Sequence, residues 1–167
     1  MYEKTEKYEV NIVPNVGYEV RGQWKDDIHD IRTRIVFNYQ TYEVVEAEAE
    51  GISVPFEICH QGIQAIKELV GIKAGSGFLR TIRQRVMGKN GCMHVGELAE
   101  YSITAALNCA VREVPDWADP ADWNARWAIW QHVYKDNCIY FSQPEVMKSF
   151  RIDIEEVLQK TKENRMK

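Results

Sequence analysis

From Ile28 to Tyr39 the chain alternates with a period of two. His29, Ile31, Thr33, Ile35, Phe37 and Tyr39 fall on one side, and Asp30, Arg32, Arg34 and Asn38 on the other, broken only by Val36. Successive strand side chains point to opposite faces, so this segment demands a sheet with one face on a core and one in water. Its neighbours agree. Residues 6–13 read as a strand ending at Pro14, with a turn at Asn15-Val16-Gly17, and residues 18–24 alternate loosely as a second. Lys25-Asp26-Asp27 makes a polar turn into the third strand. From Thr41 to Glu50, Val45, Ala47 and Ala49 alternate against Glu46, Glu48 and Glu50. The first fifty residues therefore predict an antiparallel meander with one wet face.

Gly51 then changes the pattern. Ser53 is a candidate N-cap, Pro55 suits a first helical turn, and Cys59, Ile63, Ile66 and Val70 recur at helical spacing before Gly71. After Gly75-Ser76-Gly77 a second helix uses Phe78, Ile82 and Val86 and stops at Gly88, and Lys89-Asn90-Gly91 forms a turn. A third helix begins near Cys92. It buries either Val95, Leu98, Ser102, Ala105 and Cys109, or the adjacent set His94, Leu98, Tyr101 and Ala105. Beyond Glu113 the composition shifts: Pro115 and Pro120 flank an acidic stretch, and Trp123, Trp127, Trp130, Tyr134 and Cys138 follow at helical spacing. Gln143-Pro144-Glu145 opens a terminal helix with Met147, Phe150, Ile154 and Val157. The expected architecture is α+β: residues 1–112 form a small antiparallel sheet packed by helices, and residues 113–167 a Trp-rich helical extension packed on the same domain.

Composition excludes several functions. Lys and Arg number 21 against 25 Asp and Glu, and the net charge of −4 gives no electrostatic reason for nucleic acid or an anionic membrane as partner. Hydrophobic residues at 45% are enough for a real core. No apolar run approaches the roughly 18 residues of a membrane span, and the first seven residues lack a signal-peptide core. The expectation is a soluble, cytoplasmic protein.

There are four cysteines and four histidines. In a reducing compartment the thiols are metal ligands, nucleophiles or plain core. Cys59 precedes His60, Cys92 stands two before His94, and His29 sits beside Asp30, so ligand-type residues gather at three separated places. His29 shares a strand face with Ile31 and Ile35 and should point toward the helices, whereas Asp30 should point away unless a bulge turns it. Cys59 and Cys92 both fall near predicted helix N-termini, where the partial positive charge favours thiolate. Two Cys and two His complete a tetrahedral site, while three ligands leave a position for water or substrate. Against this, His29 could be a core histidine and Cys59 a small buried residue. Cys109 and Cys138 read as core, and His60, about 100° round the helix from Cys59, as exposed or as a residue supporting the ligands from behind. Gly75-Ser76-Gly77 reads as a helix–helix turn before it reads as a phosphate loop, and Arg80 and Arg83 as a solvated helix face.

Two resemblances bear on these residues. His94-x3-Leu98-Ala99-Glu100-x2-Ile103-x-Ala105-Ala106-Leu107, with Cys59-x3-Ile63 before it, resembles the metal-binding segments of U-type iron–sulfur cluster scaffolds. On that resemblance Cys59 matches the central Cys, His94 the family His, and His29-Asp30 roughly the Asp position. Val95 replaces the Cys after the His, with Cys92 upstream as a substitute, and the early Cys is missing. A closer match is to the bacterial family termed domain of unknown function 2889. It is carried by Ile28-His29-Asp30-Ile31, Pro55-Phe56-x-Ile58-Cys59, Leu69-Val70-Gly71-Ile72, Gly75-x-Gly77-Phe78-x-Arg80 and Gly91-Cys92-x-His94-x3-Leu98, over roughly residues 5–110.

The expectations that follow are specific. One zinc or iron ion per chain is held by His29, Cys59, Cys92 and His94, with Asp30 the exchange partner for His29. The protein then scaffolds, senses or delivers metal. An alternative is a small metalloenzyme with an open metal position, acting on an aromatic or carbonyl substrate. The third is a metal-free interaction module. Trp123, Trp127 and Trp130 form a core stripe, a site for a small apolar ligand, or a contact in a homo-oligomer.

Overall fold

The computed structural model describes residues 1–110, 115 and 117–149. The chain divides into two compact units, Met1–Ala110 and Val111–Lys167. In the first, β1 (Thr5–Val13), β2 (Gly17–Lys25), β3 (Asp30–Asn38) and β4 (Val44–Ser53) form an antiparallel meander in that spatial order. The α+β class and the wet-faced sheet are as the alternation required. In the register, Val10 faces Val20, Val20 faces Ile35, and Ile35 faces Ala47, so one row of apolar side chains crosses the whole sheet.

Helices cover that face. Tyr18, Val20, Trp24, Ile31, Ile35 and Phe37 are buried beneath α3 (Met93–Ala110) and the shorter helices before it. α3 turns Val95, Leu98, Ala99, Ser102, Ala106 and Ala110 inward. The set led by Val95 is therefore the buried one at first, but it continues through Ala106 and Ala110, at four-residue steps, instead of Ala105 and Cys109. Tyr101 is exposed. α2 (Phe78–Arg85) buries Phe78 and Ile82, with Val86 inside at its end, as its spacing predicted.

Three local readings are corrected. Residues 59–69 are not one α-helix: α1 spans only Cys59–Ile63 and passes into a 3-10 helix, Gln64–Leu69. A 3-10 helix repeats every three residues, so Ile63, Ile66 and Leu69 are buried and Val70, expected inside, is exposed. Ser53 is not the N-cap. It ends β4, and its hydroxyl donates to the Ile28 carbonyl oxygen at 2.9 Å, tying β4 to the turn before β3. In β4 a bulge opposite Val36 and Phe37 doubles up residues, so Val44 faces Phe37 and is fully buried while Val45 is only partly so.

The outer edge of β4 is covered at its start by the chain itself. Val44 and Gly71 exchange bonds with residues 72 and 44, the Val44 amide reaching the Ile72 oxygen at 3.0 Å and the Gly71 amide the Val44 oxygen at 2.8 Å. β1, the other edge, carries Lys7 and Glu9 on its outer face, the charge pattern that discourages edge pairing.

In the second unit, α4 (Pro120–Tyr134) starts with Pro120 in its first turn and Asp119 capping the Ala121 amide at 2.8 Å. It ends at Tyr134: Lys135 leaves the helical region with a ψ of 134°, and Asp136 follows with a positive φ of 66°. Cys138 therefore lies in the following turn. Trp127 and Tyr134 pack on Phe141, with ring centroids 6.4 and 5.8 Å apart, and Trp130 packs on Tyr134 at 5.6 Å. Trp127 and Trp130, both partly buried, carry these contacts. The side chain of Trp123 lies outside the described residues, as do Phe150, Ile154 and Val157. A short α5 spans Pro144–Ser149. Among the described residues no helix is long and apolar enough to cross a membrane.

Candidate functional site

The turn between β2 and β3 builds the site. Asp26 opens it as an Asx turn: one carboxylate oxygen accepts the Ile28 amide at 2.9 Å and the His29 amide at 2.6 Å, and the Asp26 amide donates to the His29 oxygen at 2.9 Å. The same oxygen lies 3.1 Å from His29 Nδ1. The other accepts the Trp24 indole N–H at 3.0 Å and the Tyr2 hydroxyl at 3.3 Å. With its side chain only 5% exposed, Asp26 is a nearly buried carboxylate surrounded by donors. Burial alone would raise its pKa. The donors from Trp24, His29 and Ile28 outweigh burial and hold it well below the usual carboxylate range.

An ionised Asp26 fixes the histidine. Facing a carboxylate, Nδ1 of His29 is the nitrogen that carries a hydrogen toward Asp26, which leaves Nε2 as the nitrogen turned away from it. That ring packs against His94, centroids 4.3 Å apart, and the Trp24 ring lies 4.5 Å from His94 on an adjoining side. Burial pushes the pKa of His94 down, and the neighbouring His29 adds to the shift. A neutral imidazole at pH 7 is the form that binds metal or accepts a proton. Lys4 sits 4.0 Å over the Trp24 ring and closes this side.

Cys92 comes from the start of α3. Its carbonyl accepts the first intrahelical bond, from the Gly96 amide at 3.0 Å, which makes it the N-cap residue of an 18-residue helix. The Cys92 Sγ lies 4.0 Å from His94 Nδ1. The non-helical residue and the second helical one therefore turn toward each other across Met93, as the Cys-x-His spacing anticipated.

Cys59 arrives by a different route. It is the first residue of α1, and Gly62, one turn later on the same side, packs against the backbone of Gly91 and Cys92. A Cβ at Gly62 would stand 2.8 Å from the Gly91 oxygen, and one at Gly91 would stand 2.0 Å from the Val86 oxygen. Gly62 is needed for the approach of α1, and Gly91 for the tight passage of the chain past the end of α2. The Cys59 thiol is half-buried and makes no hydrogen bond to His29, Cys92 or His94 among the described residues. With only five residues, α1 also lends it little of the helix-end charge expected from the sequence.

Asp30 is not where the exchange role requires it. It accepts the Gln23 side-chain amide at 2.8 Å and lies 3.6 Å from Arg32, on the face of the sheet away from the helices. The irregularity between Asp30 and Ile31 places its extra residue, Ile52, in β4, so the phase of β3 is unchanged. The carboxylate beside His29 is Asp26, which the sequence reading treated as part of a polar turn. The signal was there: an Asp three residues before a His, in a tight turn, can cap the turn and reach the ring together. Trp24 too was legible, since it shares the β2 face of Tyr18 and Val20 at the end of the sheet where His29 emerges.

His60 is exposed, as expected. None of the four cysteines is in a disulfide. Among the described residues no three His, Cys, Asp or Glu side chains converge into a group able to hold a metal ion as they stand. Ile28, Ile58 and Met93, each adjacent in sequence to His29, Cys59 or Cys92, are exposed.

No curated protein and no solved structure matches the chain, so the likeness to U-type iron–sulfur scaffolds stays a resemblance of motifs. Residues 11–108 match a family described as protein of unknown function (DUF2889), and that span holds the sheet from mid-β1, α1, α2, α3 but for its last two residues, and each of Asp26, His29, Cys59, Cys92 and His94. The chain belongs to the DUF2889 family.

Proposed function

We propose that the first unit binds one transition-metal ion, zinc or iron, through Cys92, His94 and His29, with Cys59 as the fourth donor. The observation that carries this reading is the chain of contacts Asp26–His29–His94–Cys92. A thiolate and an imidazole on one tetrahedral zinc stand about 3.6 Å apart, from bond lengths of roughly 2.3 and 2.0 Å. The 4.0 Å between Cys92 Sγ and His94 Nδ1 needs to close only slightly. A carboxylate holding the far nitrogen of a ligand histidine is the usual support for such a ring, and Asp26 supplies it. Binding draws the four donors together, which is common where metal affinity and local folding are coupled. Closed by four protein ligands, the site suits a carrier, sensor or scaffold; left open by Cys59, it suits activation of a water or a carbonyl.

Elemental analysis of protein purified without a metal-affinity tag, anaerobically and in air, tests the reading. The expected result is near one zinc or iron per chain, reduced in Cys92→Ala, His94→Ala and His29→Ala. Apoprotein titrated with cobalt(II) should show thiolate-to-cobalt charge transfer that weakens in Cys92→Ala and in Cys59→Ala and vanishes when both are replaced. No bound metal and no such band would overturn the proposal.

The same Cys92–His94 contact supports a second reading, a thiol nucleophile at a helix start with an imidazole base. In metal-free protein, selective alkylation of Cys92 over Cys59, Cys109 and Cys138, slowed by His94→Ala, would favour it.

A further inference from the structure

The face of the sheet turned away from the helices has its own architecture. Cross-strand register puts Glu9, Arg21, Arg34 and Glu48 in one row, and Lys7, Gln23, Arg32 and Glu50 in the next. Arginines occupy the two central strands and glutamates the outer ones. Arg21 and Arg34 are direct cross-strand partners, and Arg32 lies two residues along β3 on the same face. Like charges so placed repel, and the arrangement needs a reason to persist.

Part of that reason lies in the next row of the same face. Glu19, 7% exposed, accepts Arg21 Nε at 2.7 Å and Arg34 Nε at 2.5 Å, one arginine on each oxygen. By taking the Nε atoms, Glu19 anchors both guanidiniums at their inner edge. Arg34 gives Nη1 to Glu46 at 2.5 Å, whereas the terminal nitrogens of Arg21 make no bond among the described residues. Arg32 has only a 3.6 Å approach to Asp30, which Gln23 already occupies at 2.8 Å. Over these groups lies a trough of about 660 Å³, lined by five cationic and three anionic side chains on a chain whose net charge is −4.

We propose that this trough binds a small molecule bearing a carboxylate or phosphate group, gripped by Arg21 and Arg32 with Arg34 between them. The volume is that of a small-molecule site. The planar fork of a guanidinium matches the paired oxygens of a carboxylate or phosphate, and Glu19 orients two of the forks in advance. Glu9, Glu48 and Glu50 along the rim repel a long polyanion such as nucleic acid, so the ligand carries its negative charge at one end. This site lies on the opposite face of the sheet from His94 and does not depend on metal binding.

The test is a heteronuclear NMR titration of the full chain, including the arginine Nε–H signals, with inorganic phosphate and with citrate at constant ionic strength. The expected result is saturable shifts at Arg21, Arg32, Arg34 and Gln23 with one or both probes. Saturation by phosphate alone supports a phosphate ester, and by citrate alone a carboxylate. Arg32, 55% exposed and without a short bond, can be changed with little risk to the fold. Arg32→Gln should weaken the responding probe at least tenfold, and Arg32→Lys, which keeps the charge and loses the fork, several-fold. The proposal is overturned by no shift, by equal shifts with sodium chloride, by shifts centred on Arg80, Arg83 and Arg85, or by unchanged affinity in both variants.

Discussion

Asp26→Asn isolates the group on which the site geometry turns. The two side chains have the same shape, but the amide has only one acceptor oxygen. In the wild type one oxygen serves the Ile28 and His29 amides and the other serves the Trp24 indole, at 3.0 Å, and Tyr2. Whichever way the amide is turned, its NH2 meets donors: the Trp24 indole in one orientation, two backbone amides in the other. Trp24 is 5% exposed, so its N–H finds no water in exchange. Loss of charge assistance and one stranded buried donor together cost about 2–4 kcal/mol. The effect carries a pH signature. The Asp26 carboxyl is depressed in the folded state, so its contribution is fully present above the unfolded pKa near 4 and lost as pH falls through the folded value. Between pH 5 and pH 3 the gap between wild type and variant should narrow by about 1.2 kcal/mol, since the unfolded carboxyl protonates first. Urea unfolding followed by the amide signals of β2 and β3, in EDTA, measures both quantities. A gap below about 0.5 kcal/mol at pH 7, or one that does not change between pH 5 and 3, would refute the argument.

Other perturbations separate packing from charge. Gly62→Ala places a Cβ 2.8 Å from the Gly91 oxygen, so α1 must move off the start of α3. It should cost about 1–3 kcal/mol in chemical denaturation and weaken cobalt binding in parallel, because Cys59 moves with α1. Glu19→Gln leaves Arg21 opposite Arg34 with no anion between them and should cost about 1–3 kcal/mol, more at low salt than high. Burial tends to raise the Glu19 carboxyl, but Arg34 and Arg21 hold it lower, so this penalty should be full above about pH 5 and fade as the medium acidifies. Ser53→Ala removes the bond to the Ile28 oxygen; about 1 kcal/mol of stability and faster exchange of the residue 26–29 amides are expected. Unchanged exchange would show that Asp26 alone holds the turn.

Much of this was written in the chain. Alternation from Ile28 to Tyr39 fixed which face of β3 is buried, because a pleated strand has only two sides and the charges can tolerate only one of them. Pairing β3 with its neighbours in a meander then put Val20, Ile35 and Ala47 in a single row. The Cys92-x-His94 pair was equally local: a capping residue and the second residue of its helix are close enough along the chain for their side chains to meet.

What the sequence could not supply was the third dimension of the site. Asp26 and Trp24 belong to different local patterns, one a polar turn and one a strand face, and only the pairing of β2 with β3 brings an indole, a carboxylate and an imidazole together. Val45 was expected inside and Val44 lies there, since a bulge is a property of two strands and leaves no mark on one. Val70 was expected inside and Leu69 lies there, because a switch from a repeat of 3.6 to one of three is set by packing against β4. Asp30 and Asp26 flank His29 at distances of one and three residues, and sequence distance favoured the nearer. Alternation sends Asp30 through to the far face of the sheet, while the turn folds Asp26 back onto the ring. Periodicity is a local property of the chain; which carboxylate meets the histidine is decided by where the strands stop and the turn closes.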